Sequence, residues 1–192
     1  MNKLSVRPTT FMIAAVNLTV LMIFSSCTMS NSSLSDVEKI KSVRQIFPSA
    51  IDITELQINQ EARNSGLPGN AEVSEIKGVS GLLGYCVESK IVSRSGPFRI
   101  RVLVDPQVYV KQASVISYPW DRGRDVRKRA FTSQFEGKGP NDPIQVGKDI
   151  DSMTGATISS RVMAEGVRDT IKLIELVKEK QTFSRSLSGR AF

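Results

Sequence analysis

The chain has 192 residues, 40% of them apolar and 23% charged, and a net charge of +7. That length leaves room for one domain with a real core, and the composition is that of an ordinary globular protein rather than a disordered or disulfide-stapled one. There is no histidine, which excludes triads built on a His base, HExxH zinc sites and histidine-rich metal centres.

The first 27 residues read as a signal peptide. Lys3 and Arg7 supply a positive start, Phe11 to Phe24 an apolar run, and Ser25-Ser26-Cys27 a small-residue end. The run falls short of the roughly 20 apolar residues a spanning helix needs, and Asn17 and Thr19 interrupt it. A cysteine behind two serines resembles a lipoprotein signal, in which Cys27 is lipidated and becomes the new N-terminus. An uncleaved anchor and a simple secreted chain are the alternatives. Removing the leader leaves 24 cationic against 19 acidic residues, a net +5. The expected location is the extracytoplasmic side of a membrane, held by the lipid, which makes nucleic acid a poor partner for the excess charge.

Residues 28–35 are rich in Ser and Asn and read as a flexible tether. From Asp36 to Phe47, Val37, Ile40, Val43 and Phe47 recur at helical spacing, with Ser35 as N-cap and Pro48 as stop. A short strand is expected within Ile51 to Ile58, then a loop at Asn64 to Asn70. Strands follow at Glu72 to Ile76, Leu82 to Val92, Phe98 to Asp105 and Val108 to Ser117. Their connections are too short for parallel crossovers, so the sheet should be an antiparallel meander. Phe131 and Phe135 mark a short amphipathic helix from near Arg124, ended by Gly137. Val162, Met163, Val167, Ile171, Ile174 and Val177 place an apolar stripe on a long last helix, about Ser159 to Lys178. The expected fold class is α+β: a mainly antiparallel curved sheet packed with an N-terminal helix, a short middle helix and a long C-terminal helix. The domain should occupy residues 36–180, and residues 181–192 should be a disordered tail.

The chemistry-bearing stretch is Asp151-Ser152-Met153-Thr154-Gly155-Ala156-Thr157-Ile158-Ser159-Ser160, where the last helix begins. A helix start offers unpaired amides and a positive dipole end, so an anion is favoured there. Gly155 and Ala156 keep the approach open, while Thr157, Ser159 and Ser160 supply hydroxyls that can bond an anion or be joined to phosphorus. The same residues also suit a plain helix cap, and on local physics alone the cap is the better reading.

The string from Asp151 to Ser159 resembles the motif Asp-x-x-Ser/Thr-Gly-Ala-Thr-x-Ser/Thr of the FMN-binding domain family at every specified position. That family is known from the C subunit of the sodium-translocating NADH:quinone reductase and the G subunit of the Rnf complex. The resemblance implies that Thr157 carries covalent FMN through a phosphoester, placed there by a flavin transferase using FAD, with Asp151, Thr154, Gly155, Ala156, Ser159 and Ser160 around it. Since the chemistry would belong to the transferase, the chain needs no base of its own. Phe131 to Lys138 resembles the family's Phe-x-x-Gln-Phe-x-Gly-Lys stretch, and Gly96-Pro97-Phe98 its Gly-Pro-Ile turn. Tyr118 to Gly123 departs from the family's His-x-Glu-Thr-Pro-Gly segment.

Tyr118 and Trp120 suit either the flanks of a flavin ring or partly buried positions at a strand end. The cations between Arg122 and Arg129 read as a solvated face, with a docking patch as the sharper alternative. Cys86 reads as a core residue, and no metal site or catalytic residue is expected. The implied function is an exported FMN-carrying electron-transfer protein served by a membrane redox partner. A flavin-dependent reductase of a small acceptor and a flavin-free lipoprotein binding module are the alternatives.

Overall fold

A computed structural model describes residues 34–58 and 70–188, all within one compact unit, Ser33–Phe192. The signal peptide, Cys27, most of the tether and all but the last residue of the Asn64 to Asn70 loop lie outside the described residues.

Five strands pair in sequence order: β1 (Asp52–Leu56), β2 (Glu72–Gly78), β3 (Gly81–Ser93), β4 (Gly96–Val104) and β5 (Val110–Ser117). Every neighbouring pair is antiparallel, which the short connections require from β2 to β5. Register shifts at Ile76/Lys77, Arg99/Ile100 and Leu103/Val104 mark bulges, which bend and twist strands locally. The sheet is open, and with its helices the fold is α+β, as expected.

One face of the sheet carries Val73, Tyr85, Val87, Ile100, Val102 and Val104, all buried. Against it lies the last helix, here α3 (Thr157–Ser188), which buries Met163, Val167, Ile171 and Ile174. Such side chains contribute about 1.5–3 kcal/mol each when fully buried. The helix runs ten residues beyond the expected end at Lys178 and takes in residues 181–188 of the stretch expected as tail.

The other face is smaller. Its centre is Val43 of α1 (Leu34–Ile46) with Ile76, Cys86 and Leu103. The expected stripe on this helix is only partly buried: Val37 is 53% and Ile40 37% exposed. Polar contacts do the rest. The Arg101 guanidinium, buried between helix and sheet, donates to Ser42 Oγ at 2.6 Å and to Glu88 Oε1 at 2.8 Å, and Lys39 donates to Ser74 Oγ at 2.8 Å. Cys86 is fully buried, and that burial pushes its thiol up to about 12, which agrees with a core residue and not a reactive one.

Between β5 and α3 lies the expected short middle helix, which is divided into three consecutive segments: a 3-10 turn at Arg124–Arg127, the single α-turn α2 (Arg129–Thr132), and a 3-10 turn at Ser133–Phe135. Phe131 and Phe135 are fully buried and meet edge to face with centroids 5.3 Å apart. The chain leaves this turn at Gly137, which has φ 77°. No helix among the described residues is long and apolar enough to cross a membrane.

Candidate functional site

A cavity of about 470 Å3 opens at the start of α3. Three segments meet there: the β3–β4 turn with Arg94 and Ser95, the loop after β5 with Arg122 and Gly123, and Gly155 to Ser159. Its volume falls within the range of small-molecule sites.

The helix start is unusually bare. Ser160 N donates to the Ala156 carbonyl at 2.8 Å, which makes Ala156 the cap residue, and alanine has no side chain with which to cap. The backbone amides of Thr157, Ile158 and Ser159 have no acceptor among the described residues. Their N–H groups and the positive end of the dipole are therefore available to an anion. Gly155 has φ 75°, and nothing lies within 4 Å of where a Cβ would stand, so the approach is open.

The hydroxyls of this stretch have three different situations. Ser160 is fully buried; it donates to the Ala156 carbonyl at 3.0 Å and accepts from Met153 N at 3.1 Å. Ser159 is buried with its Oγ 2.9 Å from Tyr118 Oη. Thr157 is exposed, and its hydroxyl has no hydrogen-bond partner among the described residues. Neither Ser159 nor Ser160 caps the helix, and of these three hydroxyls only that of Thr157 is free of a hydrogen bond among the described residues. Thr154 is exposed and unbonded beside it.

Asp151 is exposed, and its backbone is gripped by Gln134. Asp151 N donates to Gln134 Oε1 at 2.7 Å and Gln134 Nε2 donates to the Asp151 carbonyl at 3.2 Å. The Phe-x-x-Gln-Phe stretch thus buries its two rings and uses the glutamine between them to fix the entry to the motif. The sequence carries the resemblance but no local signal for that role.

Tyr118 does not line the cavity. It is 8% exposed, its ring lies on Phe98 with centroids 4.9 Å apart, and its hydroxyl donates to the Arg122 carbonyl at 2.8 Å. It supports the site from beneath. Gly123 makes this possible: with φ 83°, a Cβ there would stand 2.5 Å from both Ser159 Oγ and Tyr118 Oη. Trp120 is 36% exposed and lies over the β3–β4 turn, donating from Nε1 to the Pro97 carbonyl at 2.7 Å.

Of the cations after β5, Lys128 pairs with Asp125 at 2.9 Å and Arg129 pairs with Glu136. Arg122 and, from the β3–β4 turn, Arg94 form no ion pair among the described residues and both border the cavity. Arg94 has no signal in the sequence, because nothing in a hairpin turn tells which distant loop it faces. No group of acidic or cysteine side chains among the described residues could hold a metal ion.

A free hydroxyl, three free amides and two unpaired guanidiniums around one cavity define a domain suited to an anionic, phosphate-bearing ligand. The family model of the FMN-binding domain matches residues 39–172, and the chain belongs to that family. Among solved structures, it is similar to the C subunit of the Na(+)-translocating NADH-quinone reductase from Parabacteroides distasonis ATCC 8503. The two are 14% identical with a TM-score of 0.45, over 73% of this chain and 96% of that one. No curated protein matches the chain.

Proposed function

We propose that this chain is an exported, membrane-anchored electron-transfer protein whose FMN is joined by a phosphoester to Thr157. The observation that carries this reading is the unpartnered Thr157 hydroxyl at an uncapped helix start, inside the motif that Asp151 to Ser159 match. The residues present fit the group: open backbone at Gly155, free amides for the phosphate and a cavity of suitable size.

Attachment would be the work of a flavin transferase with FAD as donor. The Thr157 Oγ–P bond forms, the bond between the two phosphates of FAD breaks, AMP leaves with the electron pair, and the hydroxyl proton passes to the transferase. Thr157 is then a substrate position that needs no neighbouring base, consistent with a chain without histidine. Bound FMN supplies one- and two-electron redox chemistry. The chain's own residues would hold it: Gln134 fixes the entry to the motif, Tyr118 and Ser159 lock the helix start to the loop after β5, and the amides of residues 157–159 would bind the phosphate.

Among the described residues, the cavity wall carries no carboxylate, which favours a carrier over a reductase with its own proton donor. Its electrons would come from a membrane redox partner. Lipidation at Cys27 would keep it beside that partner, and a covalent bond would prevent loss of the flavin after export.

The test is to express the chain with a flavin transferase, denature it and weigh it. The mature protein should gain the mass of FMN less one water, and Thr157→Ala should abolish the gain. Retention of the mass by Thr157→Ala, or its absence from the wild type, would overturn the linkage. Metabolic labelling with a fatty acid, present in wild type and lost in Cys27→Ala, tests the anchor.

A further inference from the structure

The cavity beside Thr157 is bordered by two guanidiniums from parts of the chain far apart in sequence. Arg94 stands at the turn between β3 and β4, Arg122 on the loop after β5. Both are exposed and neither has a carboxylate partner among the described residues; Arg124 and Arg127 are likewise without an ion pair there, but Arg94 and Arg122 are the two arginines that border the cavity. An anion held between two cations that border one cavity is attracted by both. Guanidiniums bind phosphate oxygens through charge-assisted, often bidentate hydrogen bonds.

The positions are also held. The Arg122 carbonyl accepts from Tyr118 Oη, and Tyr118 in turn meets Ser159 in the first turn of α3, so the loop bearing Arg122 is fixed to the element bearing Thr157. Trp120 donates to Pro97, which ties the same loop to the hairpin whose turn bears Arg94. The backbone around both arginines is therefore referenced to the start of α3.

We propose that Arg94 and Arg122 form a clamp for the phosphate of the flavin, binding its non-bridging oxygens together with the amides of residues 157–159. This rests on the assignment of Thr157 as the attachment point. The linked phosphate is a diester with one negative charge, shared between two oxygens, and two guanidiniums from separate loops can each take one of them. Arg94 and Arg122 are positioning residues: they hold the phosphate while Thr157 carries the bond.

The experiment compares wild type, Arg94→Gln, Arg122→Gln, the double Gln variant and the double Lys variant, each treated with flavin transferase and FAD. Uptake is read by intact mass, and the environment of the linkage by its 31P resonance. Each Gln substitution should slow uptake at limiting FAD by about tenfold, and in flavinylated protein should move the 31P resonance toward its position in the denatured chain. The double Lys variant should recover most of both. A folded double Gln variant that takes up no FMN, beside a Lys variant that does, supports the clamp equally. Unchanged uptake and an unchanged 31P resonance in the double Gln variant would overturn it. Failure of the attachment assignment is distinguishable, because Thr157→Ala would then retain FMN whatever the arginines do.

Discussion

The hydroxyl of Tyr118 lies 2.9 Å from that of Ser159, joining the end of β5 to the first turn of α3. Tyr118 spends its one proton on the Arg122 carbonyl, 2.8 Å away, so Ser159 is the donor between the two. A single phenol oxygen thereby links strand end, loop and helix start. Tyr118→Phe should keep the ring on Phe98 and lose both bonds, with Ser159 Oγ left buried and unpaired. The expected loss is about 1–3 kcal/mol of unfolding free energy by urea titration. An unchanged midpoint would show that the hydroxyl contributes nothing.

The β3–β4 turn holds the only tryptophan in place, and Gly96 is the contact point. Gly96 has φ 130°, and a Cβ there would stand 2.2 Å from the Trp120 ring. Gly96→Ala should drive the indole off the turn and break its bond to Pro97, which leaves the ring in water. Because Trp120 is the sole tryptophan, its fluorescence should shift to longer wavelength, with stability reduced by about 1–3 kcal/mol. Wild-type emission from the variant would mean that the turn accommodates a side chain freely.

Glu88 and Arg101 are paired at 2.8 Å with side chains 7% and 6% exposed. Removing one member of a buried pair leaves the other charge uncompensated, a loss of about 3–5 kcal/mol. Glu88→Gln should therefore lower the denaturation midpoint sharply. Substituting both residues by apolar ones of similar volume should be much milder, and a double substitution as damaging as the single one would contradict the argument.

Asp149 should make the loop before the motif sensitive to acid. Burial raises its carboxyl, but hydrogen bonds from Gln145 N and Ile144 N and the ion pair with Lys138 at 2.9 Å outweigh it, so the pKa is lowered below 3.8. A depressed folded-state pKa means that the carboxylate stabilises the fold at pH above 3.8 and loses that contribution as pH falls below it. Melting temperature should drop through this range in wild type and drop less steeply in Asp149→Asn. Identical slopes would assign the acid sensitivity elsewhere.

The strands, their antiparallel order and the last helix were legible because alternation and helical spacing are properties of consecutive residues. The motif from Asp151 to Ser159 was legible for the same reason, since its residues adjoin one another at the start of α3. First-helix packing was not: Val37 and Ile40 follow the helical period yet stay exposed, because the helix rests on Arg101, a strand residue nearly sixty positions on. Tyr118 read as a candidate ring flank because its chemistry suits one, but packing against Phe98 turned its ring inward and its hydroxyl toward Ser159.

The family, the α+β class and the threonine offered at the helix start can all be read from consecutive residues. Which of the three hydroxyls is free, which cations border its cavity and which residue fixes its approach follow from the packed fold. Those answers depend on hairpin register and loop path, which bring Arg94, Arg122 and Gln134 to Thr157 and its motif from segments with no spacing rule in common. Local pattern specifies elements; convergence of side chains from separate elements arises only when the core between them is packed.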